Sequence, residues 1–151
     1  MKNISLFKII AAFLVLSFAL TSNNLLAAET QANKTATART QVVFQVSDDD
    51  ARKWNLTLNN VKNIQQELGA SNVDIEVVAY GPGINMLKFE STVSERVDEA
   101  LKAGVKIVAC ENTMKSLKLS KADMMSTIGY VPAGVVEIIR KQKEGYAYIR
   151  P

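Results

Sequence analysis

Val105-Lys106-Ile107-Val108-Ala109-Cys110-Glu111-Asn112-Thr113-Met114 is an apolar, β-branched run that stops on a cysteine and passes into a polar segment. Val105 to Ala109 reads as a buried strand, so Cys110 sits where a strand ends and a loop or helix begins. Upstream, Thr92 and Glu95 have capping-box spacing ahead of apolar Val97, Ala100 and Leu101, and Gly104 closes that helix. Further back, Val73 to Ala79 is another strand, broken by Tyr80-Gly81-Pro82-Gly83. Gln41 to Val46 is the first strand and stops at Ser47-Asp48-Asp49-Asp50. After it Trp54, Leu58, Val61, Ile64 and Leu68 recur at helical spacing as far as Gly69. Downstream, Ser120 to Ile128 carries an N-cap serine and apolar Met124, Met125 and Ile128, and Ile128 to Val131 adds a short strand before Pro132. Gly134 to Glu144 is helical, with Val135, Ile138 and Ile139 on one side, and Tyr146 to Ile149 is a last strand.

Strands that alternate with helices pair in parallel through right-handed crossovers. The expected architecture is an α/β three-layer sandwich with an open, mostly parallel sheet of about five strands, occupying residues 40–151. Ligands in such sheets bind beyond the carboxyl ends of the strands. Four loops meet there: Ser47 to Asp50, Tyr80 to Asn85, Cys110 to Thr113 and Val131 to Gly134. The candidate site is therefore Cys110, lined by Asp48, Asp49, Gly81, Gly83, Asn85, Glu111, Asn112, Thr113, Pro132 and Gly134.

Ahead of the domain, Lys2 and Lys8 form a basic start, Ile9 to Leu20 an apolar stretch, and Leu26-Ala27-Ala28 a small-residue cleavage site. A membrane span needs about 20 apolar residues, and Thr21-Ser22-Asn23-Asn24 interrupts this one early. Residues 1–28 thus read as a cleaved signal peptide, residues 29–39 as a flexible polar tether, and the product as periplasmic or secreted, free of the membrane after cleavage. No cysteine near the cut offers a lipoprotein anchor.

The whole chain has 151 residues, which suits one domain. Its net charge of +3 falls to about +1 once Lys2 and Lys8 leave, because the leader holds two of the 18 basic residues and none of the 15 acidic ones. A nearly neutral domain without basic clusters lacks the footprint of a nucleic-acid binder. Histidine is absent, so Ser-His and Cys-His pairs and the commonest metal ligand are excluded. A single cysteine cannot form an internal disulfide; in an oxidising compartment it is buried, paired between chains or reactive.

Asp48-Asp49-Asp50 has the chemistry of a hard-cation site, but consecutive carboxylates do not converge unaided, and the reading preferred is an N-cap with first-turn acids. No metal and no cofactor are assigned. Gly81-Pro82-Gly83 lacks the third glycine and the lysine of a phosphate loop, and reads as a turn that lets backbone pass close to the Cys110 loop. Trp54, Met114, Met124 and Met125 read as core or interface. For Cys110 two readings stand together. Free backbone N–H groups and a helix dipole, with Lys115 or Lys118, would favour a thiolate against the adverse charge of Glu111; alternatively the thiol is simply packed.

From the first strand onward the chain resembles the DsrE/DsrF-like sulfur-relay family. The likeness rests on Val105 to Met114, on Val131-Pro132-Ala133-Gly134-Val135 and on Glu144-Gly145-Tyr146-Ala147-Tyr148-Ile149-Arg150-Pro151. It implies a small α/β domain that assembles into trimers or hexamers, a persulfide-carrying role at Cys110, and donor and acceptor proteins or small thiols as partners. The leader departs from the cytoplasmic relay members, which puts tRNA thiolation in doubt. The competing expectation is a non-catalytic oligomeric binding or assembly module with a structural cysteine. The aromatic last strand and the store of Met and aliphatic residues also favour self-association, probed by mass in solution.

Overall fold

The computed structural model describes residues 39–151; the expected signal peptide and all but the last residue of the tether lie outside them. Five strands form one sheet in the order β4-β3-β2-β1-β5: β1 Thr40–Val46, β2 Val73–Ala79, β3 Lys106–Cys110, β4 Gly129–Val131 and β5 Ala147–Ile149. Every pairing is parallel, with Val43 opposite Glu76, Val78 opposite Val108, and Cys110 opposite Val131. The parallel α/β sheet expected from the strand–helix alternation is the one found.

The helices are α1 Ala51–Leu68, α2 Ser94–Lys102, α3 Glu111–Ser116 and α4 Gly134–Lys143. The chain steps from β1 to β4 in one direction and then returns across the whole sheet to β5. With right-handed crossovers, reversing direction moves the connecting helix to the opposite face. The side chains agree. Val42, Phe44, Val46, Ile75, Val77, Ile107 and Ala109 join Trp54, Leu58, Val61 and Val97 in the main core on the α1/α2 face. On the α4 face only Val43, Val78, Ile138 and Tyr146 form a buried cluster.

Asp50 caps α1 by accepting the Arg52 N–H at 2.8 Å, and no acidic residue occupies the first turn, so Asp48 and Asp49 precede the helix instead of lining its dipole. The Thr92–Glu95 capping box is not formed: Val93 is the N-cap of α2 and makes no side-chain bond. The box closes further on, where Ser120 N–H and Oγ both meet Asp123 Oδ2 at 2.7 Å. That box holds one 3-10 turn, Lys121–Asp123, and no longer helix follows. Met124 turns extended to bridge Lys88, and Met125 N–H donates to Leu87 O at 3.0 Å, which buries both methionines without a helical face.

Tyr80 does end β2, but Gly81–Leu87 is an ordered 3-10 stretch. Gly83 makes it possible: a Cβ there would lie 2.4 Å from Val46 O. Only a residue without a side chain lets this segment cross the end of β1 and bury Ile84, Met86 and Leu87.

Candidate functional site

The loop after β3 leaves toward the α1/α2 face and the loop after β4 toward the α4 face, so the crevice between these two strand ends is where a parallel sheet offers a binding position. Cys110, the last residue of β3, stands there and is 5 % exposed. By strand alternation its side chain shares the α4 face with Lys106 and Val108. Gly134, the first residue of α4, closes over it: a Cβ on Gly134 would come within 3.0 Å of Tyr80 Cβ and 3.3 Å of Cys110 Cβ.

Burial alone would push the Cys110 thiol up. Hydrogen bonds from the Thr113 side chain and from the backbone N–H groups of Gly134, Thr113 and Asn112 outweigh it and hold the thiol below its ordinary range. The Thr113 hydroxyl is aimed by a second contact, since Gly81 N–H donates to Thr113 Oγ1 at 3.0 Å and leaves the hydroxyl proton for sulfur. Asn112 N–H also donates to Pro132 O at 3.1 Å, tying the cysteine loop to the loop after β4.

A groove of about 470 Å³ opens beside this nest, lined by Gly81, Pro82, Asn85, Asn112, Thr113, Ser116 and Leu117. Its walls carry hydroxyls and carboxamides but no formal charge. Glu111 lies elsewhere, in a second depression of about 300 Å³ that it shares with Lys115 and Lys121.

Of the residues expected around Cys110, Thr113, Asn112 and Gly134 bond it directly, Pro132 holds the adjoining loop, and Gly81 and Asn85 line the groove. Gly83 is buried against β1. Asp49 reaches the groove only through Asn85 Nδ2, 3.0 Å away. Asp48 pairs with Lys53 at 3.1 Å and Arg150 at 3.4 Å, and its carbonyl accepts Trp54 Nε1–H at 2.8 Å. Tyr80 and Pro82 belong to the loop Tyr80 to Asn85 expected at this edge, though neither was singled out; the lining pair Ser116 and Leu117 was not foreseen and follows from α3 completing a turn. Among the described residues no three of His, Cys, Asp and Glu gather as metal ligands, and no helix is long and apolar enough to cross a membrane.

A family model described as DsrE/DsrF-like matches residues 40–151. A protein of unknown function, MTH1491 from Methanobacterium thermoautotrophicum, is 39% identical over 74% of this chain and 99% of its own, with a TM-score of 0.71. A conserved protein of unknown function, BT1422 from Bacteroides thetaiotaomicron, shares the fold at 14% identity and a TM-score of 0.61, over 74% of this chain and 94% of its own. Comparison with curated proteins finds no match.

Proposed function

Because the chain belongs to the DsrE/DsrF-like family, whose membership points to a sulfur-relay role, we propose that it carries sulfane sulfur on Cys110. The observation that supports this most is the set of donors around the sulfur: one hydroxyl and three backbone N–H groups favour the thiolate in a buried place. Cys110 Sγ attacks the terminal sulfur of a donor persulfide, R–S–SH. The Sγ–S bond forms, the donor S–S bond breaks, and its electron pair leaves as R–S⁻, giving Cys110–S–SH. An acceptor thiolate repeats the exchange and restores Cys110 as thiolate. Charge and oxidation level balance in both steps, so no general base or redox cofactor enters. The uncharged groove gives an approach past Asn112 and Thr113.

The test is the mass of the purified chain after incubation with a sulfane donor. A gain of one sulfur, reversed by a thiol acceptor and lost in Cys110→Ser, is expected. An unchanged mass with Cys110 open to alkylation defeats the relay. The near-complete burial of Cys110 favours the second reading, an assembly module with a packed cysteine. Alkylation only after denaturation would select it.

The proposed place of action is the periplasm or outside the cell, supported by the basic start, apolar stretch and Leu26-Ala27-Ala28 of the leader. Fractionation and N-terminal sequencing test it. Self-association as a trimer or hexamer is proposed as well, supported by exposed Val135, Val136 and Ile139 on α4 and Tyr148 on edge strand β5. Light scattering tests that, and a concentration-independent monomer mass would reject it.

A further inference from the structure

Strand alternation places Asp74, Glu76 and Val78 of β2 beneath α4, so a carboxylate lies in the middle of that face. Glu76 is 3 % exposed and Lys141 of α4 is 5 % exposed, with Nζ 3.0 Å from Glu76 Oε2. The second oxygen, Glu76 Oε1, is buried without a hydrogen-bond donor. Glu137, one turn before Lys141, brings its carboxyl against that of Glu76 and is itself bound by Arg140. Two carboxylates in contact under a helix do not both ionise freely, and one proton between them supplies the missing donor. The two environments assign it. Burial, with Glu137 adding and Lys141 opposing, pushes Glu76 up, whereas Arg140 chiefly holds Glu137 down.

The other charged and titratable groups around this pair are accounted for. From α4, Glu144 pairs with Arg140 and lies 3.7 Å from Lys141 Nζ. From β2 and β3, Asp74 and Lys106 pair at 3.4 Å. Before β5, Tyr146 donates its O–H to Asp74 at 2.6 Å and places its ring 4.6 Å from Lys141 Nζ. From β1, Val43 is the residue opposite Glu76.

We propose that Glu76, Glu137 and Lys141 are positioning residues for Cys110: a single proton held between the two carboxyls seats α4 on the sheet, and the seated helix presents the Gly134 N–H to sulfur. The link from seat to site is short, because Gly134 is both the first residue of α4 and a donor to Cys110. Its consequence for sulfur transfer rests on the relay reading; the seat itself does not.

The sign follows from linkage. Glu76 titrates higher folded than free, so its contribution is complete below the ordinary Glu range and is lost as pH rises through the raised value. Glu137 titrates lower folded than free, so its contribution holds above the ordinary range and is lost as pH falls through the lowered value. The seat is firmest around the ordinary Glu range, where both contributions are nearly complete, and loosens on both sides.

Amide hydrogen exchange across pH, divided by the intrinsic rate, tests the seat on the whole chain, alongside the Cys110 alkylation rate. Protection in α4 should fall by up to about tenfold per pH unit between the ordinary Glu range and the raised Glu76 value, and level off above it, while α1 stays protected. Glu76→Gln keeps a donor toward Glu137 and an acceptor for Lys141, and should abolish that step and restore a single titration to the alkylation profile. Glu137→Gln gives Glu76 Oε1 a neutral donor and should abolish it too, so one variant failing to fold leaves the other to decide. Flat wild-type protection, or an unchanged step in a folded variant, overturns the proposal. A step in a chain that takes up no sulfur sinks the relay and leaves the seat standing; sulfur uptake without a step does the reverse.

Discussion

The two faces of the sheet are held by different physics. Under α1 and α2 the contact is apolar, built from Val42, Phe44, Val46, Ile75, Val77 and Ile107. Under α4 a small apolar cluster shares the space with the buried Glu76–Lys141 pair. Burial of hydrocarbon is non-directional and indifferent to pH, whereas a buried contact between titratable groups depends on geometry and protonation and is weak support for stability. The first face gives the domain its stability; the second holds a helix in register at a strength that conditions can change. Cys110 faces the second.

The largest effect that probes this difference is expected from Gly83→Ala, since its Cβ would meet backbone, with Val46 O at 2.4 Å and Ser47 N at 2.8 Å. Neither side can give without moving β1, and a loss of about 3 kcal/mol in urea unfolding, or no folded protein, is the expected result. Retention of wild-type stability would show that the large-core face is more pliable than its packing implies.

Val77 and Val78 sharpen the comparison because they are neighbours in β2, both fully buried, on opposite faces. Val77→Ala should cost about 2–3 kcal/mol and leave the alkylation profile of Cys110 unchanged. Val78→Ala should cost about 1–2 kcal/mol and shift that profile, since the cavity forms beneath α4. Equal costs with no shift in either variant would erase the distinction between the faces.

At the site, Thr113→Val removes the hydroxyl that donates to sulfur and strands the Gly81 N–H. A hydrogen bond to a charged group contributes about 1.5–3 kcal/mol, which corresponds to a rise of about one to two units in the thiol titration. Alkylation rates followed over pH check it, and an unmoved midpoint would mean that the backbone donors suffice. Gly134→Ala should act in the same direction through displacement of α4, and less strongly, because 3.0 to 3.3 Å contacts with Tyr80 and Cys110 side-chain atoms relax more readily than backbone contacts.

The strands and most of the helices were legible along the chain because period-2 and period-3.6 patterns are local properties, as Gln41 to Val46 and Trp54 to Leu68 illustrate. The capping box was misplaced because Ser120–Asp123 and Thr92–Glu95 look alike in sequence, and only the contacts of the following residues decide which closes. Cys110 was legible as a strand-end cysteine; its donors were so only in part. Thr113 and Asn112 are its sequence neighbours, but the Gly134 N–H comes from beyond β4, a long-range contact with no local signature. Lys115 was expected beside the thiol and instead lines the depression with Glu111, because α3 turns it away from the Cys110 side. Nothing local marks Glu76 and Lys141 as buried, since their burial depends on a helix returning across the whole sheet.

That return has a kinetic side. β1 pairs with β2 across a single helical connection, yet its other edge waits for β5, with Val42 meeting Ala147 and Phe44 meeting Ile149. Closing so long a loop is slow beside forming the neighbouring βαβ unit, so the sheet is expected to assemble from β1 toward β4 and to finish at β5. Until it does, β1 offers an open strand to any other chain, including a second copy exchanging its tail. The last docking event also brings Tyr146 onto Lys141 and Asp74. Maturation of the cysteine's surroundings is thereby tied to the completion of the fold.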